Sequence, residues 1–521
     1  MSTHVAARQA INHLSKRASR IATTTAVPTD DSSTNSSIAV PSVRLVALNT
    51  PAPSRSIRVG LSTRGGSIAL VSASSLVITD GAQAGRRLVA QPGEIVTFSL
   101  GAPTTIAARG QNWSGPISVR TSGGTFGAWR VANVYVAGGP TRVSSNGQNP
   151  RYARAYRGSF EIAPQGFSFE PATHRSPLRV VNVLPLDEYL KGVVPWEMDA
   201  SAPLEALKAQ AICARSEALA KLGAGRHAPD GYEICDFDHC QGYVGTENAS
   251  ARSDLAVDQT SGLAMFYNGK IADAVYYTKS GGVTAASGDI WNGSPEPYLQ
   301  SVREFSPSRH PVMANIFRDQ MSEADWISYC TQNLPSFAQP TAREVAALQA
   351  RRRRDAGTAA RFQDGDLPEY YRWRRGVRPD ALALALAARP NVLKSAGGPM
   401  KIATEMRVLE RAPSGHIVRL LVAGRDATNR AVSVTLIKDS QIRALMSGRL
   451  GSTTALPSST FVILPRRDRA QRLTVWDLRG AGWGHGAGMC QRGAQNHALA
   501  GWDARRIIAW YYRGIELRRV P

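Results

Sequence analysis

Cys235, His239 and Cys240 stand at the spacing C-x3-H-C, and His227 precedes Cys235 by eight residues. Two thiolates and two imidazoles make a closed tetrahedral donor set of the kind that suits zinc. With every position filled by protein, such an ion would be structural, fixing its loop and not activating water. The residues alone leave two alternatives open, a local disulfide between Cys235 and Cys240 or plain buried thiols. A second candidate is Glu197, which follows Val193-Val194-Pro195-Trp196 and precedes Met198. A carboxyl among apolar neighbours, at a loop leading into a helix, is expected to favour its protonated form through desolvation. A protonated Glu is a general acid at neutral pH. Capping the helix or pairing with an arginine are the non-catalytic uses of the same side chain.

Elements must hold these groups in place. After Ser201 as N-cap and Pro203, apolar residues at Leu204, Leu207, Ala211, Ala214, Ala218 and Leu222 predict an amphipathic helix ending at Gly223. Lys208 and Arg215 are seven apart on it, hence on one face opposite the apolar stripe, where both could point at Glu197. Asn268-Gly269 between β-prone runs predicts a tight hairpin. In the glycine-rich stretch 480–495, Trp483 suits stacking on a sugar ring and Gln491 suits sugar hydroxyls, while His485 could orient Glu197. No lysine stands at P-loop spacing, so nucleotide binding is a poor explanation of those glycines. Cys213, Cys330 and Cys490 read as buried small side chains.

Four ordered blocks are more specific than this. They are LPLDEYLKGVVPWEMDASAPLEALKAQAICARSEAL (184–219), YEICDFDHCQGY (232–243), YYTKSGGVTAASGDIWNGSPEPYLQSV (276–302) and GAGWGHGAGMCQRGAQ (480–495). Together the chain resembles the SpoIID/LytB family of sporulation lytic transglycosylases and amidase enhancers, over roughly residues 56–303 and 400–518. The resemblance implies peptidoglycan glycan strands as substrate and Glu197 as the catalytic glutamate, although the family usually has a small residue where Trp196 stands. It implies that Tyr276, Lys279 and Ser280 line the substrate groove, and that Lys208 and Arg215 hold the lactyl carboxylate of a peptide-free glycan. One carboxylate suffices if the muramoyl C6 hydroxyl is the internal nucleophile, unlike ordinary hydrolysis with its two. Asp187 and Glu188 then read as surface or capping groups. Zinc at His227, Cys235, His239 and Cys240, a cell-wall amidase as possible partner and an extracytoplasmic location follow from the same resemblance.

The 521 residues carry 62 Lys and Arg against 40 Asp and Glu, a net charge of +22, and only five Cys. That length excludes a small stapled scaffold, and the cysteine number implies no disulfide framework. No run of about 18 apolar residues predicts a membrane helix, and no standard secretory signal is visible in the basic first 20 residues. The expected class is α+β. A disordered basic and Ser/Thr/Pro-rich stretch (1–55) leads to a β-rich region (56–183). A mixed α/β catalytic domain follows in two parts (184–304 and 400–521), separated by a basic helical insertion (305–399). That insertion holds Arg351 to Arg354, RWRRGVR at 372–378 and the helical PDALALALAAR. Three function classes follow: a lytic transglycosylase, a non-catalytic glycan-binding enhancer of an amidase, and a binder of anionic polymer or nucleic acid through the arginine-rich insertion, the last ranked lowest. Nucleic acid is not expected as a partner, because no recognisable module is present.

Overall fold

The computed structural model describes residues 44–46, 55–63, 67–122 apart from 84 and 102–104, 129–132, 154–164, 177–305 apart from 238, 321–332, 336–339 apart from 337, 371–389, 399–446 and 455–520. The Arg351-to-Arg354 run lies outside the described residues.

Between Ser56 and Pro185 the chain forms strands, as alternation of apolar and polar residues requires. One antiparallel series runs Leu178–Pro185, Ser159–Pro164, Ile117–Thr121, Leu76–Asp80 and Arg87–Ala90, with Ser56–Leu61 on the other side of Leu178–Pro185. Ile57, Val59, Val119, Phe160, Ile162 and Val180 are fully buried on it. Ile234–Cys235 adds in parallel beside Ser56–Leu61, so Cys235 is fixed by a sheet edge. A second sheet is built on Ser67–Ser72, paired on either side with Val96–Leu100 and Trp129–Ala132. The stretch 1–55, expected to be unstructured, contributes the strand Arg44–Val46, which lies parallel to Glu516–Arg519. An edge of that strand offered its backbone groups, and Arg44-Leu45-Val46 satisfies them.

Helix α1 (Leu186–Glu197) leaves directly from the strand Leu178–Pro185. Glu197 is therefore its last residue and not part of a loop before a helix, two positions after Pro195, whose missing N–H weakens the final turn. Helix α2 (Leu204–Ala224) has Pro203 as N-cap without a side-chain cap, and it ends at Gly225 in the left-handed region, φ 60°. Ser201 does not cap it, since the Ser201 N–H turns back to Asp199 Oδ1 at 2.7 Å. Between Ala206 and Ala218 α2 is buried on nearly all sides, polar Gln210, Arg215, Ser216 and Glu217 included. It packs against α1 and α3 (Ala251–Gln259), a Ser250-capped helix. The hairpin forms at Asn268-Gly269, both at positive φ, between Leu263–Tyr267 and Lys270–Ile271.

Among the described residues of 305–399 are two helices, α4 (Glu323–Thr331) and α5 (Pro379–Ala387). RWRRGVR, however, is a strand: Arg372–Val377 pairs with Leu473–Ala481, which pairs in turn with Phe461–Arg467. Trp373 and Val377 enter one hydrophobic cluster with Leu382, Leu386, Leu420 and Leu478, so the packing runs across the expected boundary at 399. Arg372 is buried against the carbonyls of Tyr329, Gln332 and Gly281, and Arg374 pairs with Asp477 at 2.6 Å. Arg372 and Arg374 are ties within the fold, and 372–377, expected as part of a basic helical insertion, is a strand. A meander of Ile402–Arg411, Ile417–Arg425 and Ala431–Ile437 completes this part. The chain closes with α6 (Gln491–Leu499) and α7 (Ala504–Tyr511), both packed on α2.

Candidate active site and metal centre

The strands Tyr276–Tyr277 and Met489–Cys490 pair in parallel, and Lys279 and Trp483 exchange backbone hydrogen bonds of 3.0 and 2.7 Å. These pairings bring the 276–302 and 480–495 blocks together. Gly488 makes the approach possible: at φ 76°, a Cβ there would lie 1.9 Å from Val275 O. Below them Cys490 Sγ accepts the N–H groups of Ser280 and Gly493, both at 3.2 Å, and so caps α6.

Glu197 Oε1 accepts the Gly242 N–H at 2.9 Å, and the Glu197 carbonyl accepts Gln491 Nε2 at 2.8 Å. The end of α1 is thereby tied to the 232–243 loop and to the C-terminal block. Gly242 admits no side chain, because a Cβ would come within 2.1 Å of Trp196 Nε1 and 3.2 Å of Glu197 Oε1. Gly242→Ala should therefore push the Trp196 indole aside, disturb the Gly242 N–H contact to Glu197 and lower the melting temperature by several degrees. A thermal melt checks this. Tyr276 stands near the same carboxyl, its hydroxyl accepting Gln241 Nε2 at 3.3 Å, and burial with Glu197 and Glu217 nearby pushes that phenol well above its ordinary range.

The other expected groove residues divide. Trp483 is 40% exposed. His485 lines a cleft, but both its nitrogens are engaged away from Glu197. Ala487 N–H donates to Nδ1 at 3.2 Å, so the ring proton sits on Nε2 and goes to Tyr276 O at 2.9 Å. Burial drives that imidazole down to about 4, hence neutral. Gln491 is 5% exposed and spends its amide on Glu197 O and Gln210 Oε1 (3.2 Å), which makes it a buttress of α1 and not a reader of hydroxyls. Lys279 and Ser280 are buried, and Ser280 Oγ donates to Glu304, a fully buried carboxyl that also accepts Tyr511 Oη and is held up at about 7 by desolvation. Lys208 is ion-paired with Glu205 one turn earlier at 2.7 Å.

Arg215 is not a groove residue. Its guanidinium is fully buried, donating to Asp187 Oδ1 through Nη2 (2.8 Å) and Nε (3.1 Å) and to Leu263 O through Nη1 (3.1 Å). Asp187, expected at the surface, also accepts Ser261 Oγ through Oδ2 at 2.5 Å. A spacing of seven gives the helix face but not its depth, and this face is covered by α3 and Leu263–Tyr267.

The donor atoms of His227, Cys235, His239 and Cys240 all lie within 4.8 Å of one another. His227 Nε2 is 3.3 Å from His239 Nδ1 and 3.4 Å from Cys240 Sγ, while His239 Nδ1 is 3.7 Å from both sulfurs. Zinc bond lengths of about 2.3 Å to sulfur and about 2.0–2.1 Å to nitrogen place tetrahedral ligands about 3.3–3.8 Å apart. The donor set therefore fits such an ion. His227 Nδ1 faces Asp230 Oδ2 at 2.9 Å, a carboxylate that fixes the tautomer leaving Nε2 as a ligand. All five cysteines are free thiols, which removes the disulfide alternative for Cys235 and Cys240. A hydrogen bond from Cys235, helped by Lys221 and His227, pulls the Cys240 thiol toward thiolate.

Sequence reasoning missed Gly242, Gln241, Glu217 and Asp230. Gln241 Nε2 donates to Glu217 Oε2 (2.8 Å) and Ala214 O (3.0 Å), linking the 232–243 loop to α2. Asp230 had a signal, standing one turn after His227. Gly242 acts through its backbone and leaves none.

With this geometry in hand, residues 174–267 match the family model described as stage II sporulation protein, and residues 285–488 match a domain of unknown function. The family-model match and the curated relatives of this chain support the resemblance to the SpoIID/LytB family carried by the four sequence blocks. Among curated proteins the chain is 26% identical over 330 residues to the amidase enhancer of Bacillus subtilis (strain 168), covering 63% of this chain and 40% of that one. Stage II sporulation protein D of the same strain is 32% identical over 143 residues, 25% of this chain and 41% of that protein. An uncharacterized protein of Brachyspira hyodysenteriae is 25% identical over 338 residues, 65% of this chain and 68% of that protein. The chain thus spans about two fifths of each of the two Bacillus subtilis relatives. No helix among the described residues is long and apolar enough to cross a membrane.

Proposed function

We propose that the chain acts at the cell wall as a peptidoglycan lytic transglycosylase, with Glu197 as general acid and base. The observation that carries this reading is the convergence on Glu197 of three separate blocks, through Gly242 N–H, Gln491 Nε2 and Tyr276. Gly242 N–H occupies Oε1, so the transferable proton belongs on Oε2. Glu197 gives that proton to the glycosidic oxygen as the MurNAc C1–O bond breaks. The carboxylate then takes the proton of the muramoyl C6 hydroxyl as its oxygen bonds to C1. Glu197 returns to its starting state, no water is consumed, and the glycan ends in a 1,6-anhydro-muramoyl residue. Trp483 offers a ring for stacking on the glycan. Incubation with peptide-free glycan strands and mass spectrometry for anhydro-muramoyl ends tests the reading. A second reading, a non-catalytic glycan-binding enhancer of an N-acetylmuramoyl-L-alanine amidase, is favoured by the similarity to the amidase enhancer. Absence of anhydro ends together with stimulation of an amidase would select it.

Zinc belongs to the same proposal. His227, Cys235, His239 and Cys240 would hold it with no position left for water, so it would supply structure and no chemistry. These residues would then close the loop whose Gly242 N–H holds Glu197. Purified chain should carry near-stoichiometric zinc that Cys240→Ser loses, and chelation should lower the melting temperature. Zinc-free protein with an unchanged melt overturns the assignment.

A further inference from the structure

A cleft of about 680 Å³ opens beside α2 and the metal centre, walled by Glu217, Lys221, Asp273 and His485 and rimmed by Trp291 and Glu296. That volume is typical of small-molecule sites and far larger than one ion needs. Four carboxylates reach it, and two are already compensated within the protein. Glu217 is paired with Lys221 at 2.6 Å, and Glu233 with Arg55 at 2.9 Å. Lys221 spends its remaining reach on the Cys240 carbonyl. Asp273 and Glu296 have no cation at ion-pair distance among the described residues. Arg226 lies at the exposed end of the cleft, where it faces His239 at 3.2 Å. A zinc ion held by two thiolates and two neutral imidazoles would add no net charge to this balance.

Asp273 is the unusual member. Its Oδ1 is sealed from solvent and accepts no hydrogen bond, although its backbone N–H is satisfied by Tyr298 Oη at 3.0 Å. A buried carboxylate oxygen without a donor is rare in folded proteins, and the carboxyl of Asp273, partly exposed, also lines the cleft, where a cation from outside the chain would offset the cost of its burial. Trp291, 36% exposed, lines the same cleft as these two carboxylates, neither of which forms an ion pair among the described residues, although Lys221 and Arg226 act on Asp273 from farther away. An ammonium group brings three donors and a positive charge, which match Asp273 and Glu296, while the sugar ring carrying it matches Trp291. An acetamido group brings one N–H, no charge and a methyl, and leaves both carboxylates unanswered.

We propose that this cleft binds the ammonium group of a de-N-acetylated hexosamine in a wall glycan, with Asp273 and Glu296 as its counter-charges and Trp291 against the sugar face. The inference rests on the glycan reading above and adds the amine as the recognised group. Calorimetric titration of the full chain with a tetramer of glucosamine and with its fully N-acetylated counterpart, in a buffer acidic enough to keep the amines protonated, tests it. The amine tetramer should bind at least about tenfold tighter. Asp273→Asn should abolish that preference while leaving the affinity for the N-acetylated tetramer and the melting temperature unchanged, and Glu296→Gln should reduce it. Equal affinity for the two tetramers, or a preference that survives Asp273→Asn, overturns this inference and leaves the glycan reading standing. Binding of neither tetramer overturns both. A lysine-bearing stem peptide that binds more tightly than the amine tetramer, and loses its binding in Asp273→Asn, would place the amine on peptide and overturn the sugar assignment.

Discussion

Replacing Glu197 by Gln should lower the release of anhydro-muramoyl ends by about 10²-fold to 10⁴-fold, the contribution of a positioned general acid and base. Gln keeps the shape and can still accept the Gly242 N–H, which reaches Oε1 at 2.9 Å in the parent. Its amide cannot donate the proton that the leaving oxygen needs or collect one from the C6 hydroxyl. Glycan affinity should therefore stay near that of the parent while turnover falls, and single-turnover kinetics with a separate binding measurement separates the two. Turnover unchanged in this variant removes Glu197 from the chemistry and favours the enhancer reading.

The largest expected loss of stability lies at the opposite end of α1. Asp187→Ala strands the Arg215 guanidinium, fully buried and left with only carbonyl acceptors such as Leu263 O. Breaking a buried pair by removing one partner costs about 3–5 kcal/mol, because the remaining charge stays desolvated. Urea unfolding should show that loss, and the Asp187→Ala, Arg215→Met double variant should lose less than Asp187→Ala alone. Turnover of the folded fraction should remain within a few fold of the parent, since the pair is a tie between helices. An unchanged unfolding midpoint in Asp187→Ala would contradict the buried-pair description.

What the sequence made legible was local. The four His and Cys donors that converge span only His227 to Cys240, the hairpin is written in Asn268-Gly269, and the apolar spacing of 204–222 finds α2 to within two residues at its end. Depth was not legible. Lys208 and Arg215 share a face in any helix, but only the packing of α3 shows that Arg215 is buried. His485 and Gln491 have the side chains of sugar readers, and their donors and acceptors are consumed by Tyr276, Ala487, Glu197 and Gln210. The strand Arg372–Val377 was hidden by four arginines within seven residues, whose charge reads as solvated until Asp477 and three carbonyls are seen to receive two of them. The acidic cleft was invisible because its walls come from α2, the 273–299 stretch and His485, which no window of sequence brings together.

The pairing of Tyr276–Tyr277 with Met489–Cys490, and the hold of Gln491 on Glu197, a separation of 294 residues, set the order in which these parts of the chain can come together. During synthesis the ribosome completes α1, α2 and the 232–243 loop long before it reaches Gln491. Until then the end of α1 lacks its buttress, and the parallel strand beside Tyr276 does not exist. Contacts so distant in the chain close late, after a large loop entropy has been overcome. A nascent chain stalled before Gln491 therefore carries Glu197 and its donor loop without the contact that holds the end of α1. The order of synthesis alone places the support of this carboxyl after the carboxyl itself.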